Sequence, residues 1–176
     1  VADKLLISVS DIKKYRAIPD LHPDRIDTYI RESQIIYLKP LLNDALYYDF
    51  ILKYSDSGDA MYANYQKLLN GDTYSYNGQT VEYLGLKPML VYYTLSRFVV
   101  NNQVNFTGYG VVYKRSDESD RLDADSLRMQ QTLFKETALT YQKEVEQYLS
   151  EKTDVFTLYD TLEQKPLKTG FSFFKG

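Results

Sequence analysis

The chain holds one histidine, His22, and no cysteine, so thiol nucleophiles, disulfides, cysteine-held metals and multi-histidine metal sites are all excluded. His22 sits beside Pro23 among turn residues. As a general base it would need a serine or lysine motif for company, and without one it reads as a loop histidine near a helix start. A hydrolase would then rest on a carboxylate pair such as Asp24 with Glu32, brought together in a cleft. The densest acidic run is Asp117, Glu118, Asp120, Asp123 and Asp125. It lacks the alternating ligands and central glycine of an EF-hand loop, and reads as the solvated opening of a helix whose dipole favours negative charge.

Two further motifs fall in the same stretch. Gly108-Tyr109-Gly110 resembles a piece of a phosphate-binding loop, but no third glycine follows and no helix opens there, which excludes nucleotide binding on that pattern. Lys114 and Arg115 beside Tyr109 and Tyr113 combine positive charge with aromatic faces, as nucleic-acid sites do. Asp117 and Glu118 follow at once, and the chain as a whole carries a formal charge of -3. A surface loop is the simpler reading. The rival, a regulatory module that contacts DNA through Lys114 and Arg115, predicts salt-sensitive DNA affinity.

The elements that must position these residues are mainly helical. With 176 residues, 44% hydrophobic and 26% charged, the chain fits one soluble domain. No run approaches the roughly 20 apolar residues of a membrane span, and the opening residues do not form a signal peptide. Ser10 suits the cap of a short first helix that stops before Pro19. A second helix is expected from Pro23 or Asp24, with Ile26, Tyr29, Ile30, Ser33, Ile36 and Tyr37 as its apolar stripe and Pro40 as its kink or end. A third begins at Asn43 or Asp44 and carries Leu46, Tyr47, Phe50, Ile51 and Tyr54. Asp59 caps a fourth, with Met61, Tyr62, Tyr65, Leu68 and Leu69 on one face, stopped by Asn70-Gly71. Residues 73–83 form a β-hairpin about Asn77-Gly78, which must lean on helices or on another chain. Lys87-Pro88 opens a central fifth helix to about Asn101. A polar connection follows, in which Val111 to Tyr113 can extend as a strand.

The last helix, from roughly Arg121 to Lys152, would span on the order of 45 Å, so part of it is expected to pack on something else. Leu127, Phe134, Tyr141 and Tyr148 lie on its apolar stripe and would bury it against its own bundle or a neighbouring subunit. The domain is read as residues 1–152, with an extension over 153–176. Leu167, Phe171, Phe173 and Phe174 in that extension are too apolar to remain bare and are expected to dock on an adjacent protein. Eighteen tyrosines, many on or beside the stripes, add to an interface-rich composition.

The order of these signals resembles the head-to-tail connector (adaptor, or head-completion) proteins of tailed bacteriophages. Leu6-Ile7-Ser8-Val9-Ser10-Asp11-Ile12-Lys13, Tyr29-Ile30, Tyr37-Leu38-Lys39-Pro40-Leu41-Leu42 and Leu46-Tyr47 carry the first part of the likeness. Tyr83-Leu84-Gly85-Leu86-Lys87-Pro88, Tyr92-Tyr93, Arg97-Phe98 and Thr107-Gly108-Tyr109-Gly110-Val111-Val112 look like connector-like proteins of crAss-like and related phages. The likeness spans about residues 5 to 150. It implies a structural virion protein in the phage neck, made in the bacterial host cytoplasm, without catalytic residues or cofactor. The subunit would form a ring, commonly of twelve copies, between the portal and the tail or further neck proteins. DNA would pass through it without specific binding, and the mild negative charge suits such a conduit. In that setting Tyr109, Lys114, Arg115, Asp117 and Glu118 would belong to a channel- or tail-facing loop.

Overall fold

In the computed structural model, which describes residues 4–18, 21–101, 104–107, 110–113 and 124–159, the first helix is α1 (Val9–Tyr15), capped by Ser8 and not by Ser10. The choice follows from what lies three residues on. Asp11 completes a capping box with Ser8, donating its backbone N–H to Ser8 Oγ while its carboxylate accepts the Ser8 N–H at 3.0 Å. Ser10 has Lys13 in that place and cannot reciprocate. Lys87 Nζ, 3.2 Å from the same carboxylate, ties the cap to the central helix.

Burial alone would push the Asp11 carboxyl up, but the Ser8 hydrogen bonds and the Lys87 ammonium outweigh it and hold it below the usual aspartate range. Its contribution is therefore complete above the unfolded aspartate value and fades as pH falls through the folded one. Urea titrations should show Asp11→Asn costing about 1 kcal/mol at pH 7 and much less at pH 3. An equal cost at both pH values would refute the ionic role.

Helix α2 (Pro23–Ser33) starts at the expected proline and buries Ile26, Ile30 and Ser33. It then passes into one turn of π-helix, Gln34–Leu38, which leads into α3 (Lys39–Lys53). Here the expected stripe is corrected. A π-turn holds an extra residue, so the inward face moves to Gln34 and Leu38, and Ile36 is turned outward. Pro40 ends nothing, because the wider coil just before it relieves the clash between its ring and the preceding turn. The break falls instead at Asn43, whose φ of 60° is non-helical. Asn43 Oδ1 accepts the Leu46 N–H at 3.0 Å, so it caps the second part of α3, as the sequence predicts.

Helix α4 (Tyr62–Asn70) begins three residues after Asp59, whose carboxylate accepts the Met61 N–H at 2.7 Å and organises the preceding turn. Gly71 stops it with φ 115°. Strands β1 (Asp72–Tyr76) and β2 (Gln79–Tyr83) pair antiparallel from Asp72↔Tyr83 to Tyr76↔Gln79. Asn77 and Gly78 both take positive φ, as the favoured two-residue turn requires. Helix α5 (Leu86–Asn101) is central: from Leu86 to Ser96 nearly every residue is buried, against α1, α2, α4 and α6. Arg97 Nη2 meets Glu32 at 2.6 Å, and Tyr37 stacks on Tyr93 at 3.8 Å, which fixes α2 and the π-turn to α5.

The connection after α5 carries a second antiparallel hairpin, β3 (Val104–Thr107) with β4 (Gly110–Tyr113), where the sequence suggested a lone strand. The long helix, α6 (Ala124–Glu151), has 28 residues, or about 42 Å. Its length finds a track inside the subunit: α5 receives its first part and the β1–β2 hairpin its last. Tyr92 meets Phe134 at 6.2 Å and Tyr141 at 5.8 Å, and Tyr83 of β2 stacks on Tyr148 at 4.1 Å. The hairpin thus prolongs the packing surface beyond the end of α5, while Met129, Leu133 and Leu139 of α6 stay exposed. After α6 the chain turns through Thr153 to Tyr159, and Phe156 and Tyr159 are buried in the same core.

Candidate functional site

Along the π-turn the backbone carries a pocket of about 170 Å³, lined by Arg31, Gln34, Ile35, Lys39, Tyr47, Tyr48 and Ile51. Gln34 forms its floor because its side chain is a brace: Oε1 accepts the Leu6 N–H at 2.8 Å and Nε2 donates to the Lys4 carbonyl at 3.1 Å. A buried amide so satisfied locks the chain's opening segment to the π-turn. Tyr47, also buried, has its phenol pushed up by that burial. Tyr48 stands edge-on to it at 5.5 Å. Lys39 Nζ donates to the Tyr48 hydroxyl at 3.1 Å, lies 5.0 Å from the Tyr48 ring centre, and is raised first by that hydrogen bond.

The rim is apolar and solvent-facing. Ile35 is 53% exposed, Tyr48 47% and Leu52, one turn beyond Tyr48, 54%. Large apolar side chains open to this degree on neighbouring turns form a patch, whereas scattered ones would need no explanation. At the other end of α3 the Asn43 side chain donates from Nδ2 to the Leu158 carbonyl at 2.8 Å. Leu158 itself is exposed.

The chemical candidates do not converge. Asp24 and Glu32 lie eight residues apart on α2, about 12 Å along its axis, and Glu32 is held by Arg97. His22 occupies the cap position of α2, exposed and without a side-chain capping bond. Asp125 meets Arg128 at 3.7 Å on the surface. Among the described residues no three of His, Asp and Glu gather as metal ligands, and no helix is long and apolar enough to cross a membrane.

Of the two coverings that the sequence leaves open for the long helix, its own bundle or a neighbouring subunit, Phe134 and Tyr148 take the first: both are buried in the subunit's own core, and half-buried Tyr141 stacks on Tyr92. α5 and the β1–β2 hairpin cover them. Leu127, on the first turns of α6, stays half-exposed. Tyr109, Lys114, Arg115, Asp117 and Glu118 lie outside the described residues, as do Leu167, Phe171, Phe173 and Phe174. The pocket itself was missed from sequence.

Residues 38–166 match the model of a family of unknown function, DUF6712. No curated protein and no solved structure matches the chain.

Proposed function

We propose that this chain, which belongs to the family of unknown function DUF6712, is a structural subunit that docks on other proteins through the π-turn face. The observation that carries this is the exposed apolar rim of Ile35 and Tyr48 at a pocket braced by Gln34, with exposed Leu52 one helical turn beyond Tyr48. Such a face is rigid before binding, so little ordering entropy opposes association. Its size also points to a protein partner. About 170 Å³ is below the roughly 300–1,000 Å³ of small-molecule sites and suits a single side chain of a docking protein.

Together with the resemblance to head-to-tail connectors, this supports a ring-forming component of a phage neck, in the virion, that meets the portal on one side and tail or neck proteins on the other. The ring extends the DNA channel without gripping DNA, and its role is assembly with no reaction to catalyse.

Multi-angle light scattering after size-exclusion chromatography, with and without purified portal, tests the reading. The expected result is a complex with portal that the double substitution Ile35→Asp/Leu52→Asp weakens at least tenfold while leaving the melting temperature within about 2 °C, as exposed positions allow. A monomer that ignores portal at high concentration would sink the proposal.

A further inference from the structure

The wall of the π-turn pocket is charged at both ends. Arg31, Ile35 and Lys39 follow one another at four-residue steps and all line it, so one cation stands a turn before exposed Ile35 and another a turn after. No acidic side chain is among the lining residues. We propose that this face receives an extended acidic segment of a different protein, with an aromatic side chain in the pocket and an Asp or Glu two residues to either side of it. This rests on the reading of the π-turn face as a docking surface, and names the chemistry of its partner.

Spacing decides the pattern. Eight residues of helix set Arg31 and Lys39 at most about 12 Å apart along the axis. In an extended segment residues i−2, i and i+2 point to one side, and the outer two are about 13 Å apart. The two spans agree within the reach of an Arg and a Lys side chain, so an anchor beside Ile35 brings its flanking carboxylates to the two cations. Carboxylates at i−1 and i+1 point to the other side, away from the helix. A single carboxylate, such as that of a chain terminus, meets only one end.

Both cations have donors to spare. Exposed Arg31 already makes a contact, but a guanidinium presents five N–H donors. The Lys39 ammonium has three; the Tyr48 hydroxyl takes one at 3.1 Å, and Asp44 lies at 3.4 Å for a second. Asp44 is 76% exposed, so that pair is weak and yields to a better-placed carboxylate. The cavity sets the size of the anchor. A dry cavity of about 150 Å³ accepts a benzene ring, and the pocket offers about 170 Å³ walled by Ile35, Tyr47, Tyr48 and Ile51. None of the aromatic residues in this sequence has an acid two positions away on both sides, which decides for a different protein over a second copy.

Fluorescence anisotropy of labelled peptides with the full chain at low salt tests the pattern. A peptide with the core Asp-Ser-Phe-Ser-Asp is expected to bind about tenfold tighter than one with Asn-Ser-Phe-Ser-Asn, as two partly exposed ion pairs allow. It should exceed Ser-Asp-Phe-Asp-Ser, which carries the same charge in the wrong register, by a similar factor. Arg31→Met/Lys39→Met should remove the preference for aspartate over asparagine, while the peptide comparisons on the unaltered chain do not depend on how that variant folds. Equal affinity for the aspartate and asparagine peptides, or for the two registers, would overturn the proposal, as would no binding of the first peptide at about 1 mM. Portal plays no part in these titrations. If the preference fails yet Ile35→Asp/Leu52→Asp still weakens portal binding, the docking face stands and its acidic partner falls. If the preference holds yet that substitution leaves portal binding intact, the acidic segment stands and portal is not what this face binds.

Discussion

Gly85→Ala is expected to destabilise the subunit by about 4 kcal/mol, read as a fall in melting temperature of about 8–16 °C for a domain of this size. Gly85 has φ 88°, and a Cβ there would lie 2.5 Å from the Leu69 carbonyl oxygen and 2.7 Å from the Gly71 nitrogen. Both are backbone atoms, so no rotamer change relieves the clash. The strained backbone accounts for about 1–3 kcal/mol and the overpacking for a similar amount.

The reason lies in the topology. Gly71 leaves α4 and Gly85 enters α5, and the hairpin between them must close where the two glycines touch. Gly71 is equally tight, with a Cβ 2.6 Å from the Tyr83 carbonyl oxygen. Gly78 provides the control. Its φ is 76°, but nothing lies within 4 Å of a Cβ, so Gly78→Ala should cost only about 1 kcal/mol of backbone strain. Thermal melts of the two variants measured side by side give the comparison. Equal losses would show that the base of the hairpin is not closed as described.

Tyr148→Ala is the second large effect, expected at about 3–5 kcal/mol. Tyr148 is 2% exposed, stacks on Tyr83 at 4.1 Å and meets Tyr74 edge-on at 5.4 Å, so one ring joins both strands of the hairpin to α6. Its hydroxyl donates to Asp72 Oδ2 at 3.0 Å, and Lys67 stands 3.5 Å from the other oxygen of that carboxylate. Burial and the Asp72 charge hold the phenol protonated, well above its usual range. Tyr148→Phe keeps the ring and should lose about 1 kcal/mol for the hydrogen bond. Urea denaturation of the three proteins orders them. The same variants separate packing from assembly. A loss of oligomer with an unchanged unfolding midpoint would return Tyr148 to a subunit interface.

Much of this architecture is legible in the sequence because the deciding interactions are local. Asn77-Gly78 needs only its own backbone to make the turn of the hairpin, and Asn70-Gly71 needs only the end of α4 to stop it. The proline at position 23 opens α2 for the same reason. Even the Ser8 cap is written locally, in the spacing Ser8-x-x-Asp11, although Ser10 is the more obvious serine. Periodicity fails where geometry changes without a sequence mark. Counting 3.6 residues per turn past Ser33 places Ile36 inside, and the π-turn puts Gln34 and Leu38 there.

The long helix shows the same division at larger scale. Its stripe from Phe134 to Leu149 is plain in the sequence, but a stripe says only that something covers it. The partner is chosen by the β1–β2 hairpin, which folds back on α6 because Gly71 and Gly85 let its two ends meet, and so Tyr83 and Tyr74 close over Tyr148.

The sequence by itself therefore determined a mainly helical chain, its turns and most of its caps, and the absence of cysteine chemistry, since each follows from residue type and near-neighbour spacing. Only the tertiary structure decided which apolar residues are covered and which stay open. Phe134 and Tyr148 lie under α5 and the hairpin, while Ile35 and Tyr48 at the pocket, and Leu52 one turn beyond, face solvent. Burial is a property of what packs against a face, and residues far apart in the chain, such as Gln34 with Leu6 or Asn43 with Leu158, supply that packing.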